Sequence, residues 1–154
     1  MLVLAGLGYG QTVQPHKLRF NGIGLDSTHQ QVLKALGKPA KQSKPVAEEC
    51  VGGRERSVEY DGVKLQLMDF GKKSFKVVSF DVTSPKYSVS GIKAGDTQLT
   101  VRRVLGNKFT SETEEAEGTT TWTYDIGEDD GPGSTTIRFK KGKVVSISSS
   151  YLVC

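Results

Sequence analysis

The sequence predicts an α+β protein built from two tandem repeats, each a short helix packed on an antiparallel β-meander. Three observations carry this expectation. The stretch GIGLDSTHQQVLKALGK, beginning at Gly22, returns sixty-nine residues later as GIKAGDTQLTVRRVLGN, beginning at Gly91. Both stretches are followed by runs in which apolar and polar residues alternate, the period of a half-buried strand. The tetrapeptide KVVS then occurs in both halves, at 76–79 and 143–146. The expected boundaries are 1–19 for an apolar leader, 20–88 for the first repeat and 89–154 for the second.

The leader opens on MLVLAGLGYG, an uncharged run too short to span a bilayer. Small residues at Gly8 and Gly10 follow, and then the polar QTVQPHK. This matches the apolar core and small-residue cleavage site of a secretory signal lacking its basic start. The alternative is a first strand or apolar tail belonging to the fold. On the signal reading the protein is periplasmic or secreted.

In each repeat a helix is framed by its own punctuation. Ser27 and Asp96 occupy equivalent places and are good N-caps, with Gln30 completing a capping-box pattern in the first copy. Val32 and Leu36, and likewise Val101 and Leu105, stand four apart on one face, where a short amphipathic helix needs its buried contacts. Gly37 and Gly106 end the helices, because glycine takes the left-handed conformation that closes a helix. Helices of about ten residues are marginal alone and need a surface to pack against.

Strands supply that surface. In the first repeat SVEYDG leads into VKLQLMD, with Asp61-Gly62 as the hairpin signal and Val63, Leu65 and Leu67 on one face. KVVSFDV continues the meander with Val78, Phe80 and Val82. In the second, TTTWTYDI places Trp122 and Tyr124 inward, TTIRF places Ile137 and Phe139 inward, and KKGK turns the chain into KVVSISSSYLV. The opposite face of the second meander then carries Thr121, Thr123, Thr136, Arg138, Ser146, Ser148 and Ser150. That hydroxyl-lined surface is either a solvated sheet face of good strand formers or a recognition surface.

The Gly-Ile opening, the capped helix ending in Leu105-Gly106, the Trp122-x-Tyr124 strand and the hairpin through Phe139, Gly142, Lys143, Val144 and Val145 form one pattern. It resembles the outer-membrane assembly lipoprotein family of small α+β domains. Tandem copies of such a unit resemble the β-lactamase inhibitory proteins. The resemblance covers residues 20 to 154 and implies a protein-binding scaffold in the cell envelope or outside the cell. No lipidated cysteine stands at the leader, and the outward face lacks the aromatic anchors expected of an inhibitor.

Two cysteines, Cys50 and Cys154, form an even count in a chain read as exported, and a disulfide between them is expected. It would close a loop of about a hundred residues, worth roughly 4 to 5 kcal/mol in the chain-entropy model. Catalytic chemistry is poorly provided for. His16 and His29 have no metal-ligand spacing around them, His29 reads as a solvent-facing helix residue, and neither cysteine has a base beside it. The acidic runs SETEEAE at 111–117 and GEDDGPG at 127–133 read as solvated connections. Glu128, Asp129 and Asp130 do not follow an EF-hand ligand pattern.

The net charge is +4, and the first ninety residues hold 13 basic and 8 acidic side chains against 8 and 9 in the rest. Clustered arginines and interleaved aromatics are missing, so nucleic acid is not an expected partner. The expected function is a non-catalytic, exported binding module, monomeric, without cofactor, metal or membrane span, whose protein partner the sequence does not name. The alternatives are a small hydrolase with an unrecognised site or a purely structural envelope domain.

Overall fold

Because side chains alternate across a strand, each strand of this chain has one dry side and one wet side. The computed structural model describes residues 12–127 and 132–152. Among them, nine strands form one antiparallel sheet: β1 (Lys41–Gln42), β2 (Val46–Ala47), β3 (Arg54–Tyr60), β4 (Val63–Met68), β5 (Lys76–Val82), β6 (Thr110–Glu114), β7 (Thr119–Asp125), β8 (Gly133–Lys140) and β9 (Lys143–Tyr151). Their lateral order is β1-β3-β4-β5-β9-β8-β7-β6, with β2 also pairing with β3. Two short helices, α1 (His29–Leu36) and α2 (Gln98–Leu105), complete the framework with a 3-10 turn at Pro15–Lys17.

The expected pair of tandem helix-on-meander repeats is overturned by this topology. The last strands of the two meanders pair with each other, through Ser79↔Ser150, Phe80↔Ser149, Asp81↔Ser148 and Val82↔Ile147, and fuse them into one sheet. The core is single as well. It runs from Leu18, Phe20, Val32, Leu65 and Phe80 to Val101, Trp122, Phe139 and Ile147 without interruption. The physical reason is that a meander ends in an edge whose N–H and C=O groups need partners, and each meander supplies the other's. Residues 111–114 of the acidic run also belong to a strand, β6, exposed along its whole length at the sheet edge.

Residues 1–11 of the expected 1–19 leader, residues 128–131 of the second acidic run and Cys154 lie outside the described residues. The expected Cys50–Cys154 disulfide is not found among the described residues, where Cys50 is the sole cysteine and no cysteine pair exists. Cys50 is not a free thiol. β9 is an interior strand flanked by β5 and β8.

Locally the helices start one residue later than the sequence indicates. Thr28 caps α1, its Oγ1 accepting the Gln31 N–H at 3.2 Å while Gln31 Oε1 accepts the Thr28 N–H at 2.8 Å. Ser27 and Asp96 close the preceding turns instead, accepting from the N–H groups of Gly24 at 3.0 Å and Lys93 at 2.9 Å. Backbone bonds then clamp the helix entries to the sheet, Val77 N–H to Ser27 O and Val144 N–H to Asp96 O, each at 2.8 Å. At the other end Gly37 and Gly106 adopt φ of 78° and 83°. Their carbonyls accept the hydroxyls of Tyr60 at 2.8 Å and Tyr124 at 2.9 Å. Burial raises both phenol pKa values, that of Tyr124 to about 12.

The inward face carries Val58, Val63, Leu65, Leu67, Val77, Phe80, Val82, Trp122, Tyr124, Ile137, Phe139, Val144 and Ile147. Val78, expected beside Phe80 and Val82, departs from them. Between Gln66 and Leu67 the β4–β5 register slips, so Leu67 pairs with Val77 while Gln66 pairs with Ser79. The bulge gives the inward place to Val77 and turns Val78 to the other face.

Beyond β4 the chain reverses around Asp69, which is 3% exposed. Its Oδ1 accepts the N–H of Arg54 at 2.7 Å and of Gly71 at 3.1 Å, and its Oδ2 accepts from Arg54 Nε at 2.9 Å. The Arg54 N–H above all, then the Gly71 N–H and the guanidinium, hold the carboxyl below its ordinary pKa against the opposing effect of burial. A carboxylate with a depressed native pKa stabilises the fold above its ordinary value, about pH 4, and loses that contribution as pH falls through the native one. Asp69→Asn is expected to lower the urea midpoint at pH 7, with the gap to wild type narrowing in acid. A gap independent of pH would contradict this role for the charge.

Candidate binding face

Thr121, Thr123, Thr136, Arg138, Ser146 and Ser148, six of the seven residues singled out on the second half, share one face. Cross-strand pairs join Thr121 to Arg138, Thr123 to Thr136, Arg138 to Ser146 and Thr136 to Ser148. Both helices pack on the other side, since Val32, Val101 and Leu105 belong to the core with the inward strand residues. The row continues across the β5–β9 junction. From one edge to the other it reads Thr110, Thr123, Thr136, Ser148, Asp81, Lys64, Glu59, Lys41, successive members lying on neighbouring strands about 4.8 Å apart. Half of the row is hydroxyls and half alternates in charge, an arrangement that sets opposite charges side by side. Ser148 Oγ joins the halves by donating to Asp81 Oδ1 at 2.6 Å.

Two hollows on this face lie over the first-half strands. A hollow of about 260 Å³ is lined by Ser57, Glu59, Lys64, Leu65, Gln66, Ser79 and Asp81. A second, of about 300 Å³, is lined by Glu48, Glu55, Gln66, Met68, Val78, Ser79, Ser150 and Tyr151. Gln66 and Ser79 belong to both, so the two form one trough. Among the described residues it holds four carboxylates, Glu48, Glu55, Glu59 and Asp81, against one lysine, Lys64, on a chain whose net charge is +4.

Three of these carboxylates are held in place. Glu48 accepts the N–H groups of Cys50 at 3.0 Å and Val51 at 2.7 Å, Glu55 accepts from Gln66 Nε2 at 3.2 Å, and Asp81 accepts from Ser148. Among the described residues no cation stands within ion-pair distance of any of the four; the salt bridge there joins Arg54 and Asp69. None of the four stands out in the sequence. Their signal is the polar half of the alternation in RERSVEY, VKLQLM and SFDV, and it points outward on the same sheet as the threonines.

Elsewhere the titratable groups scatter. His16 lies in the Pro15–Lys17 turn. Among the described residues no three metal-ligating side chains gather. His29 is half-buried rather than solvent-facing, and its Nε2 is enclosed without a hydrogen-bond partner. Burial foremost, and then the charge of Arg56, push its pKa down, with the Gln42 amide opposing. A histidine whose native pKa is lowered destabilises the fold as pH falls below its ordinary value near 6.5, and costs nothing above it. Replacing His29 with glutamine is expected to flatten the decline in melting temperature between about pH 7 and pH 5. An unchanged slope would contradict the burial of a neutral ring.

No protein-family model matches the chain, and no curated protein matches it. Among solved structures it is similar to an extracellular protein containing a SCP domain from Bacillus anthracis strain Ames, at 12% identity and a TM-score of 0.49. The likeness covers 84% of this chain and 44% of that one, so the chain spans less than half the length of that protein. A likeness of this size carries no argument about fold or function. No helix among the described residues is long and apolar enough to cross a membrane.

Proposed function

We propose that the protein is a non-catalytic binding module, exported to the periplasm or the cell exterior, that holds an extended basic segment of a partner protein along the outward trough of its sheet. The observation that carries this reading is the charge of the trough, four carboxylates to one lysine, on a chain that is basic as a whole. An extended segment presents every second side chain to one side, so alternate lysines or arginines would meet carboxylates while the small polar residues between them face away from the trough. Electrostatic complementarity of this kind sets partner choice and association rate more than final affinity. The two histidines, on the 3-10 turn and on α1, belong to elements away from the trough, which favours binding over hydrolysis.

A labelled octapeptide alternating lysine and serine is the direct probe, with a glutamate–serine peptide as control. Glu59→Lys together with Asp81→Lys is expected to weaken lysine-peptide binding about tenfold or more and to remove its salt dependence. Equal binding of the two peptides, or an unaffected charge-reversed variant that remains folded, would overturn the proposal.

A further inference from the structure

The helix side of β3 gathers two cations around one aromatic ring. Arg54 and Arg56 stand over Phe75, their guanidinium carbons 5.4 and 5.5 Å from its centroid. Arg54 is paired with Asp69 at 2.9 Å, whereas Arg56 donates through Nη2 to the Ser43 carbonyl at 3.0 Å. His29 joins the group as the first residue of α1, its N–H donating to the Phe75 carbonyl at 3.0 Å. Among the described residues two buried side-chain polar atoms lack a hydrogen-bond partner, His29 Nε2 and Arg56 Nε, and both lie in this cluster.

A proton on this ring meets no counter-ion. Side chains alternate across β3, so Glu55 and Glu59 point to the outward face, as does Lys41 of β1 opposite Glu59. Lys76 of β5 pairs with Met68 and points outward with it. Asp69 is held by Arg54, and Asp26 by the Tyr151 hydroxyl. Leu67 of β4, opposite Arg56, is apolar, Lys44 lies in the exposed link after β1, and Lys34 sits in the last turn of α1. The charge that faces the ring is that of Arg56, which opposes a second cation.

Of the elements around the ring, β1 is the least held. It is an exposed edge strand of two residues, joined to β3 by the Ala40 N–H on Glu59 O at 2.9 Å and the Ser43 N–H on Ser57 O at 3.0 Å. Two further bonds fasten Ser43, whose Oγ accepts the Ser57 N–H at 2.9 Å and whose carbonyl accepts Arg56. By contrast α1 is fixed by its capping box and sheet clamp, and β3 by β4 on its other side. Segments with few buried contacts open first.

We propose that His29 is an acid-operated latch on the sheet edge: a proton on its ring drives Arg56 off the Ser43 carbonyl, and β1 leaves β3. The opened form bares N–H and C=O groups of β3 that β1 otherwise covers. In that form the ring regains its ordinary pKa near 6.5, so opening becomes more favourable as pH falls below that value and is independent of pH above it. The latch is independent of the proposed peptide binding.

Amide hydrogen exchange on the full chain, expressed as protection relative to the intrinsic rate at each pH, tests the latch. Between about pH 7.5 and pH 5 the protection of Ala40 and Ser43 is expected to fall about tenfold, the effect of one pKa unit, while interior amides of β4 and β9 keep theirs. In His29→Gln the protection of Ala40 and Ser43 should stay constant over the same range. If that variant does not fold, the wild type supplies a second readout: the ring protons of His29, one of two histidines in the chain, and the amide shifts of Ala40 and Ser43 should titrate with one midpoint. Constant protection in the wild type, a fall that persists in His29→Gln, separate midpoints, or a simultaneous loss across β4 and β9 would each overturn the latch.

Discussion

The antiparallel pairing of β5 with β9 is the constraint on which the rest of this molecule depends. Each of these strands is the last of its meander, and each would otherwise present an unpaired row of N–H and C=O groups. Joined, they become interior strands, and the apolar sides of both meanders line one core. The helices then have a common surface to cover. Eight residues make a helix too short to persist alone. Both survive through connections at each end, a backbone bond from the sheet at the start and a tyrosine hydroxyl on the final carbonyl.

Much of the local structure is legible in the sequence. The i,i+4 spacing of Val101 and Leu105 marks a buried helix face, the left-handed glycines Gly37 and Gly106 mark the helix ends, and the alternation through Trp122, Tyr124, Ile137 and Phe139 marks the inward side of two strands. What periodicity lacks is any record of lateral neighbours. Nothing in KVVSFDV states that Phe80 will lie opposite Ser149, so two meanders and one sheet have the same signature. The bulge at Gln66 and Leu67 is equally silent, and it alone decides between Val77 and Val78 for the core. The short edge strands escape for another reason. Thr110–Glu114 buries nothing, and a strand without a dry side has no apolar period to detect.

The candidate face shows the same division. Polar residues at alternate positions reveal that an outward face exists, yet the trough forms where Glu48, in the loop after β2, comes beside Glu55, Gln66 and Ser150. Glu48, Glu55 and Gln66 come together through successive hairpins, and Ser150 joins them only through the β5–β9 pairing. The fused sheet has a further electrostatic consequence. Across the junction a hydroxyl row meets an alternating charged row at Ser148 and Asp81, so the face is continuous in geometry and divided in chemistry. Charge excess in the first half of the chain therefore does not translate into a basic surface on this side of it.

Nuclear Overhauser contacts across the β5–β9 ladder test the fused sheet most directly. Backbone cross-peaks are expected between the partners Ser79–Ser150, Phe80–Ser149, Asp81–Ser148 and Val82–Ile147, with amides on both strands exchanging slowly as those of an interior pair. Absence of these cross-peaks, with β5 and β9 amides exchanging as two free edges, would contradict it.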